Sequence, residues 1–520
     1  MISTQALLAS AKNRPNHLAM IDGEKRITYR EMFARVTRLA GALEASGVRK
    51  GDRVGILLFN ESRYLELLFG ITMLGAVAVP INTRLSAPEV TFILNDADAK
   101  LLFFHREFLP MLTTLQKEAA GIERFILCED GGEVADTTIY EAFMQEASPI
   151  EDVYRVCEND LAGIFYTGGT TGMPKGVMLT HRNLMSNAYN FAIALEFTRQ
   201  EIYLHAAPMY HLADGCSTFG TTVVGGTHIF MRMFDPVKLL ALVERERVTS
   251  MILVPTMINM LIHTPSLSDY DVSSLRKILY GASPCPTEVL RKAMTLLPVR
   301  YYQGYGQTEA APLLTILSAE DHVLEGEEHI VSRLTSAGQP LPGVQVRVVN
   351  AKGEDVAPGE VGEVIAKGPN VMAGYWKRPE ETAATIVNGW LYTGDMATVD
   401  GENFIYIVDR KKDMIVTGGE NVYSVEVENV IYTHPAVLEA AVVAVPDEKW
   451  GESVKAVVVL KKDCTVTEEE LIEHCRRDLA GYKVPKSVDF AAELPKSGPG
   501  KILKRSIRDH YWSGMSRQVN

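Results

Sequence analysis

The sequence predicts an α/β protein built from more than one domain. Three observations carry that reading. The chain has 520 residues, too many for a single hydrophobic core. Short continuous apolar runs, such as residues 54–59 and 161–165, read as strands covered on both faces, the habit of parallel sheets. Between such runs the apolar residues recur at helical spacing, so strand and helix alternate along the chain.

Each element has a local reason. Thr28-Tyr-Arg-Glu31 is a capping box. Phe33, Val36, Leu39, Ala40 and Leu43 then follow a helical period, and Gly47 is a stop signal. A strand is expected at 54–59, a helix at 61–74 and a strand at 77–81, and the same alternation returns around Ile229, 251–254 and 277–280. Over 335–409 the pattern changes: Gly338, Pro340, Pro342, Gly343, Gly353, Pro358, Gly359 and Gly362 punctuate short alternating runs such as 344–349, which predicts turns and antiparallel strands. The charged stretch Arg410-Lys-Lys-Asp413 is read as the domain boundary, and the remainder, with strand patterns at 440–445 and 454–460, as a small α+β domain. The expected division is 1–409, a hinge at 410–412, and 413–520.

Composition narrows the function. Apolar residues make up 47% of the chain, as in a globular protein. A net charge of −13 argues against general nucleic-acid binding, which needs basic surfaces, yet leaves room for a small anion at a local positive site. The 6 cysteines lack paired spacing, so neither a zinc site nor a disulfide framework is expected; reduced thiols suit a cytoplasmic location. Neither a signal peptide nor a transmembrane helix is expected.

The most informative segment is Tyr166-Thr-Gly-Gly-Thr-Thr-Gly-Met-Pro-Lys-Gly176, directly after an apolar run. Glycines let backbone N–H groups close around phosphate oxygens, hydroxyls add donors, and Lys175 adds a point charge. It differs from a Walker A loop, because Pro174 precedes the lysine and Gly176 follows it, so no helix is expected to start there. Downstream stand Tyr302-Gln-Gly-Tyr-Gly-Gln-Thr-Glu309, Tyr392-Thr-Gly-Asp395, Asp409-Arg-Lys-Lys-Asp413, Gly418-Gly-Glu-Asn421 and Pro495-Lys-Ser-Gly-Pro-Gly-Lys501.

In this order and at these separations the motifs resemble the adenylate-forming superfamily, which includes acyl- and aryl-CoA synthetases, luciferases and peptide-synthetase adenylation domains. The resemblance runs along nearly the whole chain. It implies a large N-terminal domain of two doubly wound sheets plus a small distorted β-barrel, followed by a small mobile C-terminal domain. It also implies an acid–thiol ligase using ATP, Mg²⁺ and CoA: a carboxylate attacks the α-phosphorus, and a thiol then takes the acyl group and releases AMP. Two anions must approach each other in the first step, so cations and backbone donors are needed. On this resemblance Thr167, Thr170, Thr171 and Lys175 hold the β- and γ-phosphates. The family often has a hydroxyl residue where Gly168 stands, so one contact is missing here. Thr308 meets the α-phosphate, and Glu309 is the Mg²⁺-linked carboxylate, a hard oxygen ligand beside triphosphate. Gly281, Ala282, Ser283, Tyr302, Gln303, Gly304 and Tyr305 surround adenine, although core packing is an equal reading for Tyr302. Asp395 and Arg410 reach the ribose or phosphate. Lys501 bridges carboxylate and α-phosphate and departs when the C-terminal domain rotates about Lys412. Gly418 and Gly419 line the tunnel for the CoA arm.

The segment Pro208-Met-Tyr-His-Leu-Ala-Asp-Gly-Cys-Ser217 begins the acyl pocket by the same resemblance, with His211 as gate and Ala213, Ser217, Gly304, Pro312 and Leu313 as lining. Plant coumarate ligases carry an aromatic residue where Ala213 stands. A mainly apolar lining suits a medium- or long-chain fatty acid, with an aryl acid such as a hydroxycinnamate as the alternative. Two other classes stay open, a non-catalytic nucleotide- or acyl-binding relative and a carrier-protein acceptor in place of CoA. Analogy alone allows a homodimer.

Overall fold

A computed structural model describes residues 1–513 apart from 130, 133, 151–155, 168–172, 448, 498 and 499. Thr170 and Thr171 of the glycine-rich loop therefore lie outside the described residues.

Two large sheets dominate. In the nine-stranded sheet the inner strands Arg300–Gly306, Lys277–Gly281, Ser250–Leu253, Ile202–His205, Thr227–Phe230 and Leu18–Asp22 are parallel neighbours in that order. Leu313–Leu317 and Lys25–Thr28 flank them antiparallel. The eight-stranded sheet has a parallel core of Leu161–Thr167, Val77–Pro80, Arg53–Leu57, Ala99–Phe104 and Arg124–Leu127. One edge is antiparallel, where Lys175–Thr180 pairs with Leu161–Thr167 and Gly374–Tyr375 pairs with Lys175–Thr180.

The sheets share one apolar core, which takes in Leu204 and Ile229 from one sheet and Ile56 and Val177 from the other. Helix Ser62–Met73 is buried at every residue, as expected of a helix enclosed on all sides. Helix Tyr29–Ala45 starts at the predicted capping box: Glu31 N–H donates to Thr28 Oγ1 at 3.3 Å, and Thr28 N–H to Glu31 Oε2 at 2.7 Å. The strand expected at 54–59 stops at Leu57. Phe59 leaves the sheet to stack on His105, and Asn60 Nδ2 donates to the carbonyls of His205 and Ala207.

Where the small barrel was expected, Gln345–Val349, Gly362–Lys367, Trp390–Val399, Ile386–Val387 and Ile405–Arg410 form a five-stranded antiparallel sheet. Sheet membership changes between Arg410 and Ile415. Strands Ile415–Thr417, Glu420–Val422, Val437–Asp447, Gly451–Leu460 and Ser487–Phe490 make the last sheet, with its own core under helices Ser424–Tyr432 and Glu468–Asp478. Among the described residues no helix is long and apolar enough to cross a membrane.

Candidate active site

Lys175 opens a strand rather than a helix. Its register partner on the antiparallel neighbour strand is Thr167. Opposite Lys175 stands Tyr375, whose strand pairs with residues 177 and 178. Lys175 Nζ lies 5.3 Å from the Tyr375 ring centroid, and the Tyr375 hydroxyl donates to Glu309 Oε1 at 2.8 Å. Burial and the neighbouring Glu309 carboxylate push the Tyr375 hydroxyl's pKa up, so it remains a donor. Lysine, tyrosine and glutamate thus meet, although Glu309 is far from both in sequence. Tyr375 was absent from the sequence reading because no motif surrounds it.

Thr308 and Glu309 sit on the short 3₁₀ turn Thr308–Ala310. Two fully buried asparagines hold it. Asn187 Nδ2 and Asn370 Nδ2 both donate to the Leu313 carbonyl, at 2.9 and 3.0 Å, and Asn370 also donates to Ala310 O at 2.9 Å. Met372 N–H donates to Glu309 O at 2.9 Å. A turn fixed this way holds Glu309 at a defined position.

Gly281 ends its strand directly beside Gly304. A Cβ at 281 would stand 2.2 Å from Gly304 O, and Ala282 has φ of 64°. The two chains approach too closely for a side chain, which leaves a flat backbone surface of the kind a base can lie against. Tyr305 and Tyr302 have opposite parity on strand Arg300–Gly306, so they face opposite sides of the sheet. Tyr305 donates to Asp395 Oδ2 at 2.9 Å. Tyr302 is 1% exposed and lies under the Arg300 guanidinium, in the position of a core side chain. Gln303 is on the Tyr305 side, near the Tyr280 hydroxyl at 3.3 Å. Ser283 follows Ala282 on the loop after the strand.

Asp395 is 4% exposed. Its other oxygen, Oδ1, meets Arg410 Nε at 3.0 Å, across a register in which Asp395 and Arg410 are direct partners. Lys501 lies close enough to feel the charges of both. The segment carrying it folds back on itself: Ser497 N–H donates to Lys501 O at 2.7 Å and Leu503 N–H to Pro495 O at 2.8 Å. It docks on the large domain, where Thr256 Oγ1 donates to Gly500 O at 3.3 Å and Arg84 to Ser497 O at 3.2 Å. Gly500 has φ of 86°, and a Cβ there would meet Thr256 Oγ1 at 2.8 Å, so glycine is required twice over. Burial, then repulsion from Arg410, lowers the Lys501 pKa to about 8. His211 is held down to about 4 by burial and then by the Lys501 charge, so it is neutral at physiological pH.

His211 precedes helix Leu212–Val224, which carries Ala213 and Ser217. Asp214 on its first turn is fully buried and satisfied: Tyr203 donates to Oδ1 at 2.8 Å and His205 Nδ1 meets Oδ2 at 2.6 Å. His205 Nε2 continues to His228 at 2.9 Å, and His228 to the Thr222 hydroxyl at 3.1 Å. This chain clamps the helix to the sheet. Ser217 is also fully buried beside the Tyr203 hydroxyl, and among the described residues its own hydroxyl completes no hydrogen bond of ordinary geometry. Gly304 lies against Leu313, and Gly306 against the Pro312 carbonyl.

Gly418 and Gly419 form the two-residue turn between Ile415–Thr417 and Glu420–Val422, with φ of 60° and 88°. Gly418 packs against the Trp450 ring, where a Cβ would come within 2.7 Å. Lys412 lies between the two small sheets, and its carbonyl accepts from Arg508 Nη1 at 3.2 Å.

Residues 7–376 match the AMP-binding enzyme family, and residues 426–501 match the AMP-binding enzyme C-terminal domain. A feruloyl-CoA synthase from Amycolatopsis is 42% identical over 96% of this chain and 97% of its own length. The long-chain-fatty-acid–CoA ligase FadD13 of Mycobacterium tuberculosis is 37% identical over 94% of this chain and 93% of its own. The solved o-succinylbenzoate CoA synthetase (MenE) of Bacillus subtilis, in complex with its acyl-adenylate OSB-AMP, superposes with a TM-score of 0.85 at 33% identity, covering 97% and 98% of the two chains. This chain belongs to the AMP-binding enzyme family, within the adenylate-forming superfamily.

Proposed function

We propose that the acid activated by this AMP-forming acyl-CoA ligase is an aryl acid bearing a ring hydroxyl, of the hydroxycinnamate class. One observation carries the choice. Ser217, on the helix read as lining the acyl pocket, is fully buried beside the Tyr203 hydroxyl, and among the described residues its own hydroxyl completes no hydrogen bond of ordinary geometry. A buried polar group without a partner costs about 1–3 kcal/mol. A phenolic hydroxyl would satisfy it, whereas an alkyl tail would leave it stranded. The 42% relative named as a feruloyl-CoA synthase supports the same class. The fatty-acid reading draws on the apolar Ala213, Pro312 and Leu313 and on the 37% relative.

In the reaction, Asp395 holds the ribose hydroxyls, with Arg410 and Tyr305 fixing its orientation. Lys175, with Thr167, Thr170 and Thr171, holds the outer phosphates. Lys501 neutralises the carboxylate and the α-phosphate as they meet, and pyrophosphate leaves. The CoA sulfur then bonds to the acyl carbon and AMP departs. Glu309 suits Mg²⁺: a single hard carboxylate, oriented by Tyr375, fits an ion that takes most of its ligands from phosphate and water. When bound, Mg²⁺ would spread charge on the leaving phosphates. The hinge is read at Lys412, with Gly418 and Gly419 beside the thiol arm in the second arrangement.

The test is AMP formation with Mg-ATP and CoA over matched fatty, cinnamic and hydroxycinnamic acids. The hydroxycinnamate should have the highest kcat/KM, and Ser217→Ala should cut its preference over plain cinnamate about five- to tenfold, as expected for one hydrogen bond. Preference for a twelve-carbon fatty acid, unchanged by Ser217→Ala, would refute the assignment.

A further inference from the structure

A buried polar chain crosses the segment read as the hinge. Helix Lys504–Tyr511 begins just after Lys501. Lys504 Nζ donates to Glu428 Oε2 at 2.9 Å and to Ser424 Oγ at 2.6 Å. Ser424 Oγ in turn donates to Asp409 Oδ2 at 2.8 Å, and Ser424 N–H donates to the same oxygen at 2.6 Å. The other Asp409 oxygen accepts from Arg410 N–H at 2.7 Å, and Glu428 Oε1 accepts from Val442 N–H at 2.8 Å. Ser424 is fully buried and Asp409 is 3% exposed. A serine hydroxyl has one proton. Having given it to Asp409, Ser424 can only accept from Lys504, so the chain runs one way, from ammonium to carboxylate.

The two ends belong to different bodies. Asp409 lies on strand Ile405–Arg410, the partner of the strand bearing Asp395. Ser424, Glu428 and Lys504 all follow Lys412. One turn beyond Lys504, Arg508 donates to Lys412 O at 3.2 Å and to Asp413 Oδ1 at 3.3 Å. A rotation about Lys412 carries Ser424 away from Asp409, so the chain can exist in only one arrangement. It is the arrangement that brings Lys501 within reach of the Arg410 and Asp395 charges. None of these groups is read as touching the reacting atoms.

We infer that Asp409, Ser424 and Lys504 form a latch that positions Lys501 for the adenylation half-reaction and opens for the thioester half-reaction. The inference rests on the ligase reading and on Lys501 acting in the first half-reaction. The test compares single-turnover pyrophosphate release from ATP and acid with acyl-CoA formation from supplied acyl-adenylate and CoA. Wild type, Asp409→Asn, Ser424→Ala, Lys504→Met, Lys504→Arg and Lys501→Ala are run together, with melting curves to check folding. Asp409→Asn and Lys504→Met should adenylate about tenfold more slowly, within the range of coupling between distant groups, while the thioester step holds its rate. Lys504→Arg, which keeps the charge, should recover most of the loss, and Ser424→Ala covers the case in which a charge variant fails to fold. Parallel loss of both half-reactions, or normal adenylation in Asp409→Asn beside an inactive Lys501→Ala, would overturn the latch. A wild type that forms no adenylate would overturn the ligase reading beneath it, and a Lys501→Ala variant that adenylates normally would overturn the role of Lys501.

Discussion

The Lys501 charge gives the sharpest prediction. The role proposed for it requires the ammonium form. Burial and the Arg410 charge bring its pKa from 10.5 to about 8. The group is therefore protonated below that pH and loses its charge as pH rises through it. For such a group the charged fraction is about 0.9 at pH 7 and about 0.1 at pH 9, close to a tenfold loss. An ordinary lysine would still be more than about 95% charged at pH 9. Two neighbours stay out of this window: His211 titrates near 4, and burial drives the Tyr305 hydroxyl well above 10. The assay is acid-dependent ATP–pyrophosphate exchange from pH 6.5 to 9.5. Its kcat/KM, which reports the free enzyme, should fall with a midpoint near 8. In kcat the midpoint should move upward, because bound triphosphate favours the ammonium. Lys501→Arg keeps its charge throughout and should lose the alkaline limb along with much of the rate. A wild-type kcat/KM that stays level to pH 9.5 would refute the reasoning.

Three further outcomes follow from the geometry. Gly281→Val drives a side chain against Gly304 O, 2.2 Å from the Cβ position; melting should show a loss of about 1–3 kcal/mol, and AMP binding measured by calorimetry should vanish. Glu309→Gln removes the carboxylate proposed to hold Mg²⁺, so exchange should drop about a hundredfold or more and need more Mg²⁺ for half-saturation; an unchanged Mg²⁺ titration would count against the role. Lys412→Pro restricts the backbone read as the hinge, so acyl-CoA production should fall while exchange persists; equal loss of both would place the hinge elsewhere.

The sequence alone determined the local elements and most of the chemistry-bearing segments. The capping box at Thr28 to Glu31 needs only neighbouring residues, because its hydrogen bonds act over a few positions. The rejection of a helix after Lys175 was legible in the same way, from Pro174 and Gly176. Tertiary structure decided which distant groups meet. Tyr375 orients Glu309, Asn187 and Asn370 grip the Leu313 carbonyl, and Asp409 reaches Ser424 across the chain. It also turned Tyr302 into the core while Tyr305, of opposite parity on the same strand, faces Asp395. The reason is physical: local patterns fix which face of an element is apolar, whereas the pairing of buried polar groups depends on strand order and register, set by packing across the whole chain.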